Sequence, residues 1–198
     1  MSSAPSSQAR TAGRPRCDAT HRAVLRAAYE LLAEAGLRQF TIEGVAARSG
    51  VARTTIYRWW PSKGALAMEG FLAATAAEIS FPMTRSAVAD LKAHLRRCAR
   101  LLRGAPGRIM AGIVAEGQSD PETLAAFTEH YLRPRRREAM AILERAVENG
   151  ELRPDLDLTV VQSALYASLH LRHLLQEPVD DDWVDRLADT VLQGCTVK

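Results

Sequence analysis

Arg53, Thr54, Tyr57 and Arg58 fall within one stretch of six residues, "RTTIYR", and each carries a donor suited to a phosphate oxygen or a base edge. Wound as a helix at about 100° per residue, they take one side, while Ala52, Ile56, Trp59 and Trp60 take the other. Such a segment offers hydrogen bonds outward and a bulky apolar wedge inward. The chemistry this implies is recognition of a polyanion. Two of the chain's three tryptophans stand side by side here, and Pro61 forbids further helix. Trp60 is expected as a core anchor. Trp59, at the frayed end, has two uses open to it, packing inward or aiming its indole N–H at a phosphate.

Other constellations are weaker. His170, His173 and Glu177 recur at i, i+3 and i+7, a spacing that puts three metal-ligating types on one helical face. No cysteine or second acidic cluster stands beside them, so they read as ordinary surface or interface residues and no metal is expected. Arg133, Arg135, Arg136 and Arg137 surround Pro134, which should kink or split its helix. That run is a solvated face or, alternatively, a seat for an anionic ligand. Cys17, Cys98 and Cys195 are odd in number and far apart, which suggests reduced thiols rather than a disulfide framework or zinc site. No nucleophile is paired with a base and no phosphate loop occurs, so neither an enzyme nor a cofactor is expected.

The elements that must position the donor face are short helices. Asp18 can cap a first helix whose apolar positions Val24, Ala28, Leu31, Leu32 and Ala35 recur at helical spacing until Gly36. Thr41 caps a second helix over about 42–49, and Gly50 ends it. A third, about 52–59, follows after only a tight connection, so the two constitute a helix-turn-helix. Ser62 caps a fourth. Beyond it the spacing predicts helices over 85–103, 107–117, 121–149, 158–176 and 181–194, with Gly, Pro and Asp at the breaks. The class is all-α, about nine helices.

Charge divides the same way. Residues 1–63 carry ten Lys and Arg against four Asp and Glu, a net of +6, and the remainder nets −3. A basic module joined to a mildly acidic one suits a nucleic-acid partner for the first part only. Residues 1–17 read as a flexible basic arm in which "GRPR" places Arg14 and Arg16 on an extended segment. Such an arm enters a minor groove or touches phosphate, or else is a solubilising tail. No apolar run is long enough for a bilayer and the start lacks a signal-peptide core, so a cytoplasmic protein is expected.

The stretch "FTIEGVAARSGVARTTIYRWWPSKGALAMEGF", residues 40–71, resembles the DNA-binding module of the TetR family of bacterial transcriptional regulators. The resemblance implies a DNA-binding domain over about 18–64 and a larger helical ligand-binding and dimerisation domain over 65–198. It places Arg53, Thr54 and Thr55 near base edges, Tyr57 at a phosphate, Lys63 on backbone phosphate, and Thr41 as cap and phosphate contact together; Arg58 of the donor face is counted with the DNA contacts, as is Trp59, which stands where the family often has histidine. Position 43 often carries a basic or polar side chain in such regulators, and here it is Glu43: a solvated helix-start acid, or a reader of a cytosine amino group.

The function expected is that of a homodimeric regulator, foremost a repressor, leaving an inverted-repeat operator when a small molecule binds. A helical enzyme or carrier, or an architectural DNA-binding protein, are the other readings. For a ligand cavity the middle helices offer His94, Cys98, Met110 and Phe127, with His130, Tyr131 and Tyr166. The last two helices have apolar residues on more than one side. Leu165, Leu169 and Leu171, then Trp183, Val184, Leu187 and Val191, are candidates for a four-helix contact with a twofold mate.

Overall fold

The computed structural model describes residues 14–76 and 82–196. Its helices are α1 (Arg14–Gln39), α2 (Ile42–Ser49), α3 (Arg53–Trp59), α4 (Lys63–Thr75), α5 (Ala87–Arg103), α6 (Ala105–Gly117), α7 (Pro121–Phe127), α8 (Arg133–Glu148), α9 (Leu158–Leu174) and α10 (Asp181–Gln193). A π-helical turn, Thr128–Leu132, joins α7 to α8 without a break, so the described residues form nine separate rods. The all-α expectation holds.

The start of α1 differs from the expectation. The helix reaches back to Arg14, ahead of Asp18, because Pro15 sits in the first turn where no N–H is required of it. Arg14 and Arg16 therefore belong to a helical turn, not to an extended segment, and the rest of the arm, residues 1–13, lies outside the described residues. At the other end Gly36, at φ 72° and ψ 172°, interrupts the helix where a side chain would be strained.

α1 packs along α4, α2 and α6, burying Val24, Leu25, Ala28 and Leu32. α5 is the axis of the larger part, touching α6, α8, α9 and α10. At its N-terminus the Ser86 hydroxyl caps Ala89 N–H, and the Glu151 carboxylate accepts Ala87 N–H at 2.8 Å and Val88 N–H at 3.2 Å. Along its length Lys92 pairs with Asp189, Arg96 with Asp185 at 2.7 Å, and Arg103 with Asp181 at 2.8 Å, a ladder that clasps α10. The α5–α6 corner is tight: a Cβ on Gly107 would stand 2.0 Å from the Leu102 carbonyl oxygen. Only glycine fits there.

α6 is the shared element. It packs on α1 at one side and on α5 and α7 at the other.

Candidate nucleic-acid interface

Thr41 is extended, and its hydroxyl oxygen accepts the Gly44 N–H at 3.0 Å, which starts α2; Gly50, at φ 70°, ends it in the left-handed region. Ile42 and Val45 bury the inner side. α3 follows with no side-chain cap of its own, and it buries Ile56. Its hold on the domain comes from beyond its last turn, where Trp60 is 2% exposed.

The two indoles do different work. Trp60 Nε1–H donates to the Glu69 carboxylate of α4 at 2.6 Å, and the other Glu69 oxygen lies 3.4 Å from His21 Nε2 of α1. The His21 ring lies over Trp60 at 4.8 Å between centroids and beside Trp59 at 5.4 Å. Trp59 is half-buried and meets Trp60 edge-on at 5.5 Å. Packing is thus the use that Trp59 visibly has. The cluster ties α1, α3 and α4 together through rings and one carboxylate.

With the inner side so fixed, Arg53, Thr54, Tyr57 and Arg58 are exposed, Tyr57 by 51%, and Lys63 is exposed in the first turn of α4. Thr55 is half-buried, so less of it is offered. Thr41 is exposed, and its hydroxyl proton is still free to donate while its oxygen serves as cap. The arrangement gathers guanidinium, ammonium and hydroxyl donors on one surface beside two helix starts.

Glu43 stands exposed in the first turn of α2, the helix-start acid of the first reading, and it has a partner besides. Its carboxylate accepts Arg53 Nη1–H at 3.1 Å, and its own backbone N–H together with that guanidinium hold its pKa below the usual carboxylate range. A parallel pair, Arg48 to Glu34 at 2.8 and 2.5 Å, fastens α2 to α1. Both pairs cross between helices, so no spacing within one helix signals them.

A second site lies inside the larger part. A cavity of about 370 Å³ lies between α5, α6, the α7–α8 rod and α9. Six expected residues line it: His94, Cys98, Met110, Phe127, Tyr131 and Tyr166. His130 does not. It is exposed, because the wide π turn that absorbs Pro134 rotates the third residue after Phe127 away from the inner side while Tyr131 stays in. Arg135, Arg136, His170 and His173 line the cavity as well, although the arginine run reads most simply as a solvated face and the histidines as surface residues.

Burial sets the charge state within. It pushes the His94 imidazole, with help from the Arg135 and Arg97 charges, down to about 3, and it pushes the Cys98 thiol up to about 12. The Tyr131 and Tyr166 phenols are raised and His170 is lowered, all mainly by burial. His170 Nδ1–H donates to the Tyr166 carbonyl at 2.7 Å, and His173 Nε2–H to the Gly107 carbonyl at 2.9 Å. Glu177 pairs instead with Arg172 at 2.9 Å, and no metal-binding group of three occurs among the described residues.

Of the expected contact residues, Leu165, Leu169 and Val184 are fully buried in the chain's own core and are unavailable to a mate. Trp183, Leu187 and Val191 pack half-buried against that core. Leu171 is 58% exposed, and with Val160, Leu174 and Leu175 it forms an exposed apolar stripe, Leu171 and Leu174 lining the cavity as well. No helix among the described residues is long and apolar enough to cross a membrane.

Residues 24–69 match the family described as bacterial regulatory proteins, tetR family, and residues 81–191 match the tetracyclin repressor-like C-terminal domain. YdeS, an HTH-type transcriptional regulator of Bacillus subtilis (strain 168), is 34% identical over 183 residues, 92% of each chain. The DNA-binding transcriptional repressor TetR of Mycobacteroides abscessus is 30% identical over 172 residues, 86% of this chain and 90% of that one. Among solved structures, the TetR family transcription regulator SCO0332 has a TM-score of 0.78 at 40% identity, covering 88% of this chain and 97% of that chain.

Proposed function

This chain belongs to the TetR family of DNA-binding bacterial transcriptional regulators, and from that premise we propose that it is a cytoplasmic homodimeric repressor released from its operator by a small molecule. Residues 18–64 form the reading unit and 65–198 the unit that binds effector and mate. The observation that carries the reading is the outward set Arg53, Thr54, Tyr57 and Arg58 on a helix pinned by a buried tryptophan. Two copies joined along the α9 stripe would present two α3 helices to successive major grooves roughly 34 to 36 Å apart. Arg53 and Thr54, with the accessible part of Thr55, meet base edges; Tyr57, Arg58, Lys63 and Thr41 meet phosphates.

Repression is supported by the repressor from Mycobacteroides abscessus, and release by the cavity. Met110, Ala111 and Val114 bring α6 into the cavity wall, while the same helix packs on α1 of the reading unit. A ligand that fits one α6 position better than another shifts the two reading heads by that difference in affinity. A coupling of about 3 kcal/mol changes operator affinity roughly 150-fold.

Selection of bound sequences from random duplexes tests the proposal. An enriched inverted repeat, bound with an affinity that falls as salt rises, is expected. Indifference to every duplex at low ionic strength would end it.

A further inference from the structure

The cavity has an unbalanced polar lining. Its walls are mostly aliphatic and aromatic, and no aspartate or glutamate is among its lining residues, yet Arg135 and Arg136 both reach it. Arg135 gives one Nη1–H to Glu138 at 2.8 Å and lies 6.0 Å over the Tyr131 ring. A guanidinium has five N–H donors, so that one bond leaves most of its capacity unspent. The turn that carries Arg136 is fixed at the wall, because Gln162 Nε2–H donates to the Arg136 carbonyl at 2.6 Å.

A second observation is independent of charge. The Tyr166 hydroxyl is buried with no hydrogen-bond partner among the described residues. Buried polar groups in native proteins are nearly always satisfied, and one left open on a cavity wall marks a place where a guest supplies the partner. Of the titratable groups around it, His94, Cys98, Tyr131 and His170 are neutral near pH 7, their charged forms opposed by burial, and the fixed charge of the lining is the pair of guanidiniums. A cationic guest is repelled there, and a neutral one leaves Arg135 with only the Glu138 carboxylate and gives Arg136 no counter-charge of its own.

We infer that the effector is a carboxylate with an apolar body, its charged end held by Arg135 and Arg136 and accepting the Tyr166 O–H, and its body filling the interior beside Met110 and Phe127. The volume of about 370 Å³ lies toward the small end of the roughly 300 to 1,000 Å³ common for such sites. This inference rests on the cavity being the effector site, and it adds the chemical class of the guest.

Octanoate, 1-octanol and octylamine share a flexible apolar body and differ in head charge. Calorimetric titration of each into the full chain at pH 7.5 should give octanoate about tenfold tighter binding than either of the others. In the Arg135→Gln/Arg136→Gln variant that preference should shrink to about threefold or less, with 1-octanol still bound, which also shows that the variant is folded. Tyr166→Phe should weaken the bound guest without altering the order of head groups. Equal binding of all three, a preference for the amine, no binding of octanoate, or a preference that survives loss of both arginines would each overturn the inference. A duplex-release assay separates the two readings. If octanoate binds selectively but leaves the operator held, the carboxylate class stands and release by effector fails. If some other molecule releases the operator while the acid shows no preference, the reverse holds.

Discussion

The Glu43 carboxylate on α2 holds the Arg53 guanidinium on α3 at 3.1 Å, across the turn of the helix-turn-helix. Both side chains are more than half exposed, so the pair orients Arg53 more than it stabilises the fold. The arginine proposed to read a base is thereby pre-set, with a negative charge close to where phosphates would lie.

Two substitutions separate those effects. Arg53→Ala should relax sequence preference at one operator position at a cost of about 1 to 3 kcal/mol in discrimination. Glu43→Gln should tighten binding to every duplex while widening the set of sequences accepted. Competition gel shifts with single-base operator variants read both, and normal discrimination by the Arg53 variant would remove that residue from base reading.

Lys63→Ala should act differently. An ammonium in the first turn of α4 suits a backbone phosphate, so its loss weakens all duplexes alike. The slope of log affinity against log salt should decrease by about one. A loss confined to particular sequences would assign Lys63 to base contact.

Trp60 bears on stability and recognition together. Trp60→Phe keeps a ring but removes the N–H given to Glu69, and urea denaturation should show a loss of about 1 to 2 kcal/mol. Trp60→Ala leaves a cavity as well, for about 3 to 5 kcal/mol. Operator affinity should fall with both, since α3 loses its anchor.

His94 predicts an acid sensitivity of defined sign. Burial holds it neutral in the folded chain down to about 3, whereas an ordinary histidine takes its proton near 6.5. Between those values the unfolded chain binds the extra proton, so stability rises with pH and is lost as pH falls through that window. From pH 7.5 to pH 5 the loss amounts to about 2 kcal/mol, and thermal unfolding of His94→Gln should show a correspondingly flatter pH profile.

The stripe on α9 can be tested without touching the buried core. Leu171→Glu with Leu175→Glu puts charge on two positions that are 58% and 62% exposed, so the fold should persist. Sedimentation velocity should show monomers, and affinity for an inverted repeat should drop toward that for a single half-site. A dimer of unchanged strength would move the contact to another face.

Local chemistry made the reading unit legible. Thr41, Gly50, Ser62 and Pro61 each stop or start a helix by a bond or clash within a few residues, and α2 begins and ends, α3 ends and α4 begins where they dictate. What escaped depends on the other side of a contact. Leu165, Leu169 and Val184 are as apolar as Leu171, and only the packing of α9 and α10 on α5 decides which of them face inward. The Glu43–Arg53 pair joins two helices across a turn, and helical periodicity carries no information about it. His130 fell to a change of pitch: Pro134 was visible, but that it would be absorbed as a π turn was not. Arg135 and Arg136 looked like a solvated run because charge is usually outside; their signal was the small residue Ala139 one turn on, buried at the same wall.

α3 is seven residues long and has no cap of its own, well below the length at which a helix persists in isolation. Its shape is inherited from its neighbours. The grip on DNA therefore cannot be excised as a peptide: a synthetic copy of residues 52–60 would be coil in water, and on heating the whole chain should lose recognition and tertiary order in the same transition.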